Sequence, residues 1–180
     1  GDNYTSLGQM TEAERHFEEA LVAYRAHLGE DHPSLAGVYL GLGRVARIRG
    51  DHEDAIASLE RGIAMMRRAY GSESPALGSL YSELAVVFTS FGRFDEAEDY
   101  FPRILGFYKD DPGLALPYNR TLGNYGAMLW FAGRYEDAAV PQRELLRRYL
   151  ASPDAPPVAV GIAEGNLAST LSSLGRHDES

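Results

Sequence analysis

The sequence predicts an all-α protein built from antiparallel helical hairpins. A glycine followed by polar residues and a small residue occurs five times in 180 residues, and successive glycines lie 42, 42, 41 and 42 residues apart. Alanine (23) and leucine (21) dominate, whereas valine (8) and isoleucine (5), which favour strands, are scarce. Apolar residues between the glycines recur at helical intervals. The five glycines are Gly8, Gly50, Gly92, Gly133 and Gly175.

Each repeated glycine is expected at the junction of two helices. Glycine takes the left-handed conformation that ends a helix, and the acidic pair that follows stabilises the next helix N-terminus. A small residue seven positions before the glycine lets the two helix backbones approach closely. These small residues are Gly43, Ala85, Gly126 and Ala168. Each period is therefore predicted to be one hairpin.

The expected helices follow from the glycines, the prolines and the apolar spacing. Pro33, Pro75 and Pro157 fit the first turn of a helix, where a missing N–H costs nothing. The predicted helices span about 11–28, 33–49, 52–70, 75–91, 94–109, 113–132, 135–150 and 157–174.

The other prolines leave some boundaries open. In the third linker Pro112 lies 21 residues before Gly133, one helical turn more than in the other periods. Alternatively, the helix starts at Pro117 and 110–116 is a loop. Pro102 and Pro141 fall inside predicted helices and should kink them or end them early.

The chain is predicted to form one array of repeat units. It is expected to begin on the last turn of a helix that ends at Gly8, and to stop early in another helix. Neither end shows a polar capping helix, so we expect a fragment of a longer protein. The units span approximately 1–30, 31–71, 72–110, 111–151 and 152–180, the first and last being partial.

The repeat resembles the tetratricopeptide repeat family. The small residue and the Ala-xxx-Phe spacing, as in Ala97 and Phe101, carry this resemblance. The long period and the linker Leu28-Gly29-Glu30-Asp31-His32-Pro33, which returns as Tyr70-Gly71-Ser72-Glu73-Ser74-Pro75, resemble the kinesin light chain subclass. The resemblance implies a right-handed superhelical solenoid that binds other proteins. Sixteen of the 17 basic residues are arginine, which favours a GC-rich bacterial source.

Composition excludes several classes of protein. The chain is 44% hydrophobic and 24% charged, as in globular proteins, and contains neither a signal-like start nor an apolar run long enough to cross a membrane. We therefore expect a cytoplasmic protein. Without cysteine it has no disulfide or thiolate metal site, and its net charge of -9 argues against nucleic acid as a direct partner.

No residue pattern indicates an enzyme, a metal site or a cofactor. The histidines lack ligand spacing, and His52 and His177 stand where other copies carry Phe94 or Tyr135, so we expect them to pack as aromatic residues. The acidic pairs recur at helix starts, which helix stabilisation explains. The sequence predicts no catalytic residues, no metal and no cofactor.

The resemblance instead indicates a groove on the concave face, lined by the first helix of each hairpin. The expected lining residues are Leu40, Arg44, Arg47, Ser82, Val86, Asn124, Ala127, Trp130, Phe131, Asn166 and Ser169. Asn124 and Asn166 lie nine residues before their glycines, where many family members carry an asparagine that bonds a peptide backbone. The same position holds Gly41 and Glu83 in the earlier copies, so the asparagine ladder is incomplete.

Two pairs of lining residues suggest what the partner carries. Arg44 and Arg47 lie one turn apart and either receive a carboxylate or form a solvated face. Trp130 and Phe131 either form a pocket for an apolar anchor or pack against the next unit. An acidic segment with one large apolar residue matches this lining.

The predicted function is a non-enzymatic module that binds a peptide or helix of another protein in this groove. The alternative is self-association, or docking of a catalytic or DNA-binding domain of the same polypeptide. The last helix lacks a partner helix, so its outer apolar residues are expected to stay exposed and to give weak self-association through the cut end. These residues are Ile162, Leu167, Leu171 and Leu174.

Overall fold

The computed structural model describes the backbone of residues 2–175 and the side chains of residues 8–175. Over that range the chain forms nine α-helices and no strand, which confirms the all-α prediction. A single 3₁₀ turn precedes α4 (Pro75–Leu77) and another precedes α7 (Pro112–Leu114). The helices are α1 Asp2–Leu28, α2 Leu35–Arg49, α3 His52–Tyr70, α4 Gly78–Ser90, α5 Phe94–Glu98, α6 Phe101–Tyr108, α7 Ala115–Phe131, α8 Tyr135–Leu150 and α9 Pro157–Ser173.

The chain divides into two compact units within α4, between Val87 and Phe88. In the N-terminal unit α2 packs against both α1 and α3, around a core of Leu35, Tyr39 and Met65. In the C-terminal unit α7 packs on α6 and α8, and α8 packs on α9. The core residues of that unit are Leu122, Leu145 and Ala163, flanked by Leu105, Tyr118, Leu146 and Tyr149.

The repeated glycines end helices as predicted. Gly50, Gly92, Gly133 and Gly175 all have φ between 71° and 87°, the left-handed region that glycine adopts without strain. The amide of the residue after Gly50, Gly92 and Gly133 donates to the carbonyl five residues back at 2.9 Å, which satisfies one of the helix's last acceptors. The acidic pairs that follow lie in the first turns of α3, α5 and α8. The fifth pair, Asp178-Glu179, lies outside the described residues.

The first copy departs from this pattern. The expected junction at Gly8 is wrong, because α1 runs unbroken through it from Asp2 to Leu28. The second residue after this glycine is Met10, a strong helix former, whereas the other copies place the weaker helix formers histidine, phenylalanine or tyrosine there. The local sequence therefore favours continuing the helix over turning it.

The prolines have different effects. The helix predicted over 94–109 breaks at Asp99-Tyr100, directly before Pro102, and yields α5 and α6. α8 instead continues through Pro141, so no early end occurs there. The alternative start at Pro117 is wrong, since α7 begins at Ala115 and holds Pro117 in its first turn, where no N–H is required.

Paired helices approach closely at the small residues. A Cβ placed on Gly43 would lie 2.7 Å from Leu59 Cγ of α3 and 3.3 Å from the Ala55 carbonyl oxygen. A Cβ on Gly126 of α7 would lie 2.8 Å from Gln142 Cγ of α8. Both distances are shorter than carbon atoms tolerate, so glycine is what allows these helix pairs to pack as they do.

Arginine–tyrosine hydrogen bonds connect successive hairpins in the N-terminal unit. Arg25 donates to the Tyr39 hydroxyl at 2.8 Å, and Arg67 donates to the Tyr81 hydroxyl at 2.9 Å. The two pairs are 42 residues apart, so the contact repeats with the sequence period. None of the helices in the described part of the chain is long and apolar enough to cross a membrane.

Gly43→Ala is expected to lower the free energy of unfolding by about 1–3 kcal/mol, because its methyl group would overlap Leu59. Gly37→Ala, in the same helix α2, is the matched control, since its Cβ would meet no atom within 4 Å. That variant should gain about 0.5–1 kcal/mol from helix propensity. Urea unfolding followed by circular dichroism measures both changes, and equal effects would contradict the packing argument.

Candidate functional site

The residue nine positions before the repeated glycine differs between the hairpins. In the second copy it is Gly41, and the ring of Phe17 from α1 lies against it so closely that a Cβ would overlap the ring. This position is thus filled by the chain's own packing. In the third copy it is Glu83, and in the last two copies it is Asn124 and Asn166.

Glu83 holds both predicted groove arginines. The Arg44 Nε donates to Glu83 Oε2 and the Arg47 Nε donates to Glu83 Oε1, each at 2.8 Å. The carboxylate is largely buried, whereas Arg44 is exposed and Arg47 is half-buried. The two arginines therefore already receive a carboxylate from their own chain, and the three side chains carry one net positive charge.

The remaining predicted lining residues of the N-terminal unit are less accessible. Ser82 is buried, and Leu40 and Val86 are half-buried. Their side chains offer little free surface beside the exposed guanidinium of Arg44.

The C-terminal unit contains a pocket of about 260 Å³ between α7, α8 and α9. Five of its six lining residues belong to the set expected from the sequence. They are Ala127, Trp130, Phe131, Asn166 and Ser169, and the sixth is Gln142. Asn124 is half-buried on α7, one turn before Ala127, and lies outside this lining.

Aromatic rings form the apolar side of the pocket. Trp130 and Phe131 pack edge to face, with ring centroids 5.3 Å apart, and the Trp130 ring also lies 6.1 Å from that of Tyr135. Trp130 is 36% exposed and Phe131 is 63% exposed, so part of each ring remains available for contact. Both rings therefore line the pocket together with Asn166 and Ser169 of the next hairpin.

Gln142 is the lining residue that the sequence analysis missed. It lies nine residues after Gly133, where the other copies carry Phe17, Leu59 and Phe101. Leu59 and Phe101 are fully buried apolar side chains, and Gln142 is also buried, at 5% exposure. A polar residue in a repeated apolar position was the signal that could have identified it.

A polar network holds α7 beside the pocket. The Tyr125 hydroxyl donates to Glu98 Oε1 at 3.3 Å, and Arg134 bridges Glu98 and Asp137, with 2.8 Å to the latter. Burial, followed by the nearby Glu98 charge, raises the pKa of Tyr125. Tyr125 also stacks on Phe101, with ring centroids 5.0 Å apart, so this one side chain connects the helix that carries Asn124 and Trp130 to α5 and α6.

The described residues show no group of three or more His, Asp or Glu side chains arranged to hold a metal ion. His52 is exposed at the start of α3, whereas Phe94 and Tyr135, at the corresponding positions of α5 and α8, are half-buried. His177 lies outside the described residues.

Glu83→Gln is expected to lower the free energy of unfolding by about 1–2 kcal/mol, because two charged hydrogen bonds are lost and two arginines remain close together. Added salt should reduce the loss by screening that repulsion. Glu60→Gln, at an exposed site of α3, is the matched control and should change little. Urea unfolding at low and high salt measures the effect, and an unchanged stability would show that the cluster is not structural.

Comparison with known proteins agrees with this architecture. The model of the family described as tetratricopeptide repeat matches residues 1–68 and 36–110. The crystal structure of BtubC (BKLC) from P. vanneervenii superposes with a TM-score of 0.84 at 20% identity, covering 98% of this chain and 71% of that one. A Podosopora anserina putative kinesin light chain with nearly identical TPR-like repeats superposes with a TM-score of 0.80 at 18% identity, covering 99% and 85%.

No curated protein matches the chain significantly in sequence. At such low identity the solved structures establish the fold alone, and they are kinesin light chain-like repeat proteins. The fold is that of protein–protein interaction scaffolds, which are typically non-catalytic. Because the matched residues 1–110 make up more than half of the 180 residues, the chain belongs to the tetratricopeptide repeat family.

Proposed function

We propose that this chain is a non-enzymatic module that binds a segment of another protein through the pocket of its C-terminal unit. The observation that carries this proposal is the lining of that pocket. Ala127, Trp130 and Phe131 of α7 and Asn166 and Ser169 of α9 come together around one cavity. A cavity walled by exposed aromatic rings and uncharged polar groups is suited to hold an anchor side chain.

The size of the pocket favours a peptide over a small molecule. Its volume of about 260 Å³ lies below the roughly 300–1,000 Å³ typical of small-ligand sites. It therefore accommodates about one large side chain. The amides of Asn124 and Asn166 supply donors and acceptors for the backbone that flanks this anchor.

The charge of the partner is expected to contribute less to the binding affinity than the sequence predicted. Arg44 and Arg47 share Glu83, so an acidic segment would meet one net positive charge on that cluster instead of two. An exposed charge of this kind gives a carboxylate only a modest, salt-dependent attraction. The apolar anchor is accordingly the main source of affinity.

Trp130→Ala is expected to weaken binding of a selected peptide about thirtyfold, or ~2 kcal/mol, because it removes an aromatic wall of the pocket. Peptides would be selected from a random displayed library on the unmodified chain and measured by calorimetry. Asn124→Ala should also weaken them, with helicity and melting nearly unchanged. Tyr70→Ala, which removes an exposed aromatic of α3, is the matched control.

If neither Trp130→Ala nor Asn124→Ala changes the affinity of the selected peptides, the pocket is not their binding site. Retained affinity in Tyr70→Ala, together with loss in Trp130→Ala, separates the pocket from general adhesion to exposed aromatic rings. A library that yields no binder above background would also count against the proposal.

Self-association is the second candidate, because Val158 and Ile162 lie one turn apart on α9 and are 73% and 59% exposed. The predicted stripe is smaller than expected, since Leu171 is buried and Leu167 and Leu174 are half-buried.

Ile162→Gln is therefore expected to abolish a weak, concentration-dependent association seen by sedimentation velocity, because it interrupts the exposed apolar pair. Leu116→Gln, at another exposed leucine in the C-terminal unit, is the matched control and should leave association intact. A chain that stays monomeric at every concentration would exclude this candidate.

A further inference from the structure

Gln142 presents a buried polar group that the fold does not satisfy. Its Oε1 atom is inaccessible to solvent and accepts no hydrogen bond. A buried amide oxygen without a donor is costly, and structures rarely retain one without a reason. The side chain packs against Gly126 through Cγ, so its aliphatic part occupies the place that Leu59 occupies beside Gly43 in the earlier hairpin. The amide nitrogen also lies beside Gly126, 3.5 Å from where its Cβ would stand, whereas the amide oxygen has no partner.

The amide lies at the wall of the pocket. Gln142 lines the cavity together with Trp130 and Phe131 on one helix and Asn166 and Ser169 on another. The terminal torsion of glutamine is broad, so rotation about it can turn the amide oxygen toward the cavity while the NH₂ group takes its enclosed place. A group that enters the cavity with a hydrogen-bond donor can therefore donate to Gln142 Oε1.

The lining as a whole specifies an uncharged group with both a donor and an acceptor. None of the six side chains that line the cavity is charged, so a carboxylate or an ammonium group would lose its hydration without a counter-charge. Asn166 and Ser169 supply donors opposite the Gln142 acceptor. Two aromatic rings favour a planar group.

We propose that Gln142 is a specificity-determining residue that selects a primary carboxamide, carried by an asparagine or glutamine side chain of the partner. The carboxamide N–H donates to Gln142 Oε1, and its carbonyl accepts from Asn166 or Ser169. This inference rests on the proposed function, because it takes the pocket as the place where a partner side chain enters. It specifies a carboxamide that forms hydrogen bonds, whereas a purely apolar pocket would require only an apolar side chain.

The experiment uses the single tryptophan of the chain, Trp130, whose indole N–H resonance reports directly on the pocket. The ¹⁵N-labelled 180-residue chain is titrated with four aromatic probes that share one ring and differ at one group. Benzamide carries the primary carboxamide, acetophenone replaces its NH₂ by a methyl group, and benzoate replaces it by a charged oxygen. N-Methylbenzamide represents a backbone-like secondary amide.

Benzamide is expected to bind about tenfold more tightly than acetophenone, because only benzamide supplies the donor that the buried oxygen lacks. Benzoate and N-methylbenzamide should both bind more weakly than benzamide. Gln142→Leu should bind benzamide and acetophenone equally and should melt a few degrees higher, since it removes an unsatisfied polar group.

Gln9→Leu is the matched control, because it makes the same substitution at an exposed position of α1 and should preserve the benzamide preference. Gln142→Met gives a second variant that lacks the amide but keeps the unbranched shape. It should lose the preference even if leucine distorts the pocket.

The outcomes distinguish this inference from the proposed function on which it rests. Equal binding of benzamide and acetophenone, with shifts at Trp130, would overturn the role of Gln142 and leave the anchor pocket intact. Binding of N-methylbenzamide as tight as that of benzamide would replace the side-chain carboxamide by a backbone amide and so overturn the assignment. Absence of any shift at Trp130 with all four probes would overturn both the inference and the pocket.

Discussion

The close approach of paired helices at glycine is the constraint on which the described architecture depends. At Gly43 and Gly126 the facing side chain occupies the space where a Cβ would stand. Such contact fixes the distance between the two helices and the face that each presents to the other. The left-handed glycine seven residues later then returns the chain along that face. Gly41, nine residues before its turn, lies off this contact and receives Phe17 of α1, whereas Trp130, three residues before its turn, lies beside Tyr135 of the paired helix α8.

The position nine residues before the repeated glycine is where one repeated structure can serve different purposes. At the position nine before the glycine, Gly41 receives Phe17 and Glu83 binds two arginines, so the N-terminal unit uses it for its own cohesion. The same position in the C-terminal unit carries Asn124 and Asn166, and Asn166 lines the pocket. The period thus sets where side chains point, and individual substitutions decide whether they stabilise the fold or remain available to a partner.

Sequence reasoning was accurate where a local chemical rule decides the outcome. The left-handed glycines and the first-turn prolines determined most helix boundaries within a few residues, because each acts on its own backbone. It failed at Gly8, where Met10 lets α1 continue, since a glycine permits a turn without requiring one.

The candidate site divided in the same way. Trp130, Phe131 and Asn166 come together around one pocket, although they stand three, two and nine residues before their glycines. The pairing of Arg44 and Arg47 with Glu83 joins residues 36 and 39 positions apart on different helices. Periodicity alone does not show that such charges meet. Gln142 was missed because the lining was expected only on the first helix of each hairpin, whereas Gln142 lies on α8, a second helix.

In the proposed function, Gln142 connects the stability of the hairpin to the selectivity of the pocket. A leucine there would pack on Gly126 as Leu59 packs on Gly43, and it would leave no buried oxygen unpaired. The amide therefore makes the hairpin less stable than its repeat pattern allows. Solenoid repeats tolerate such a local loss, because each unit is supported by its neighbours and no single hairpin carries the whole free energy of folding. A polar exception in an apolar repeat position, next to a cavity, is where a repeat protein can exchange stability for selectivity.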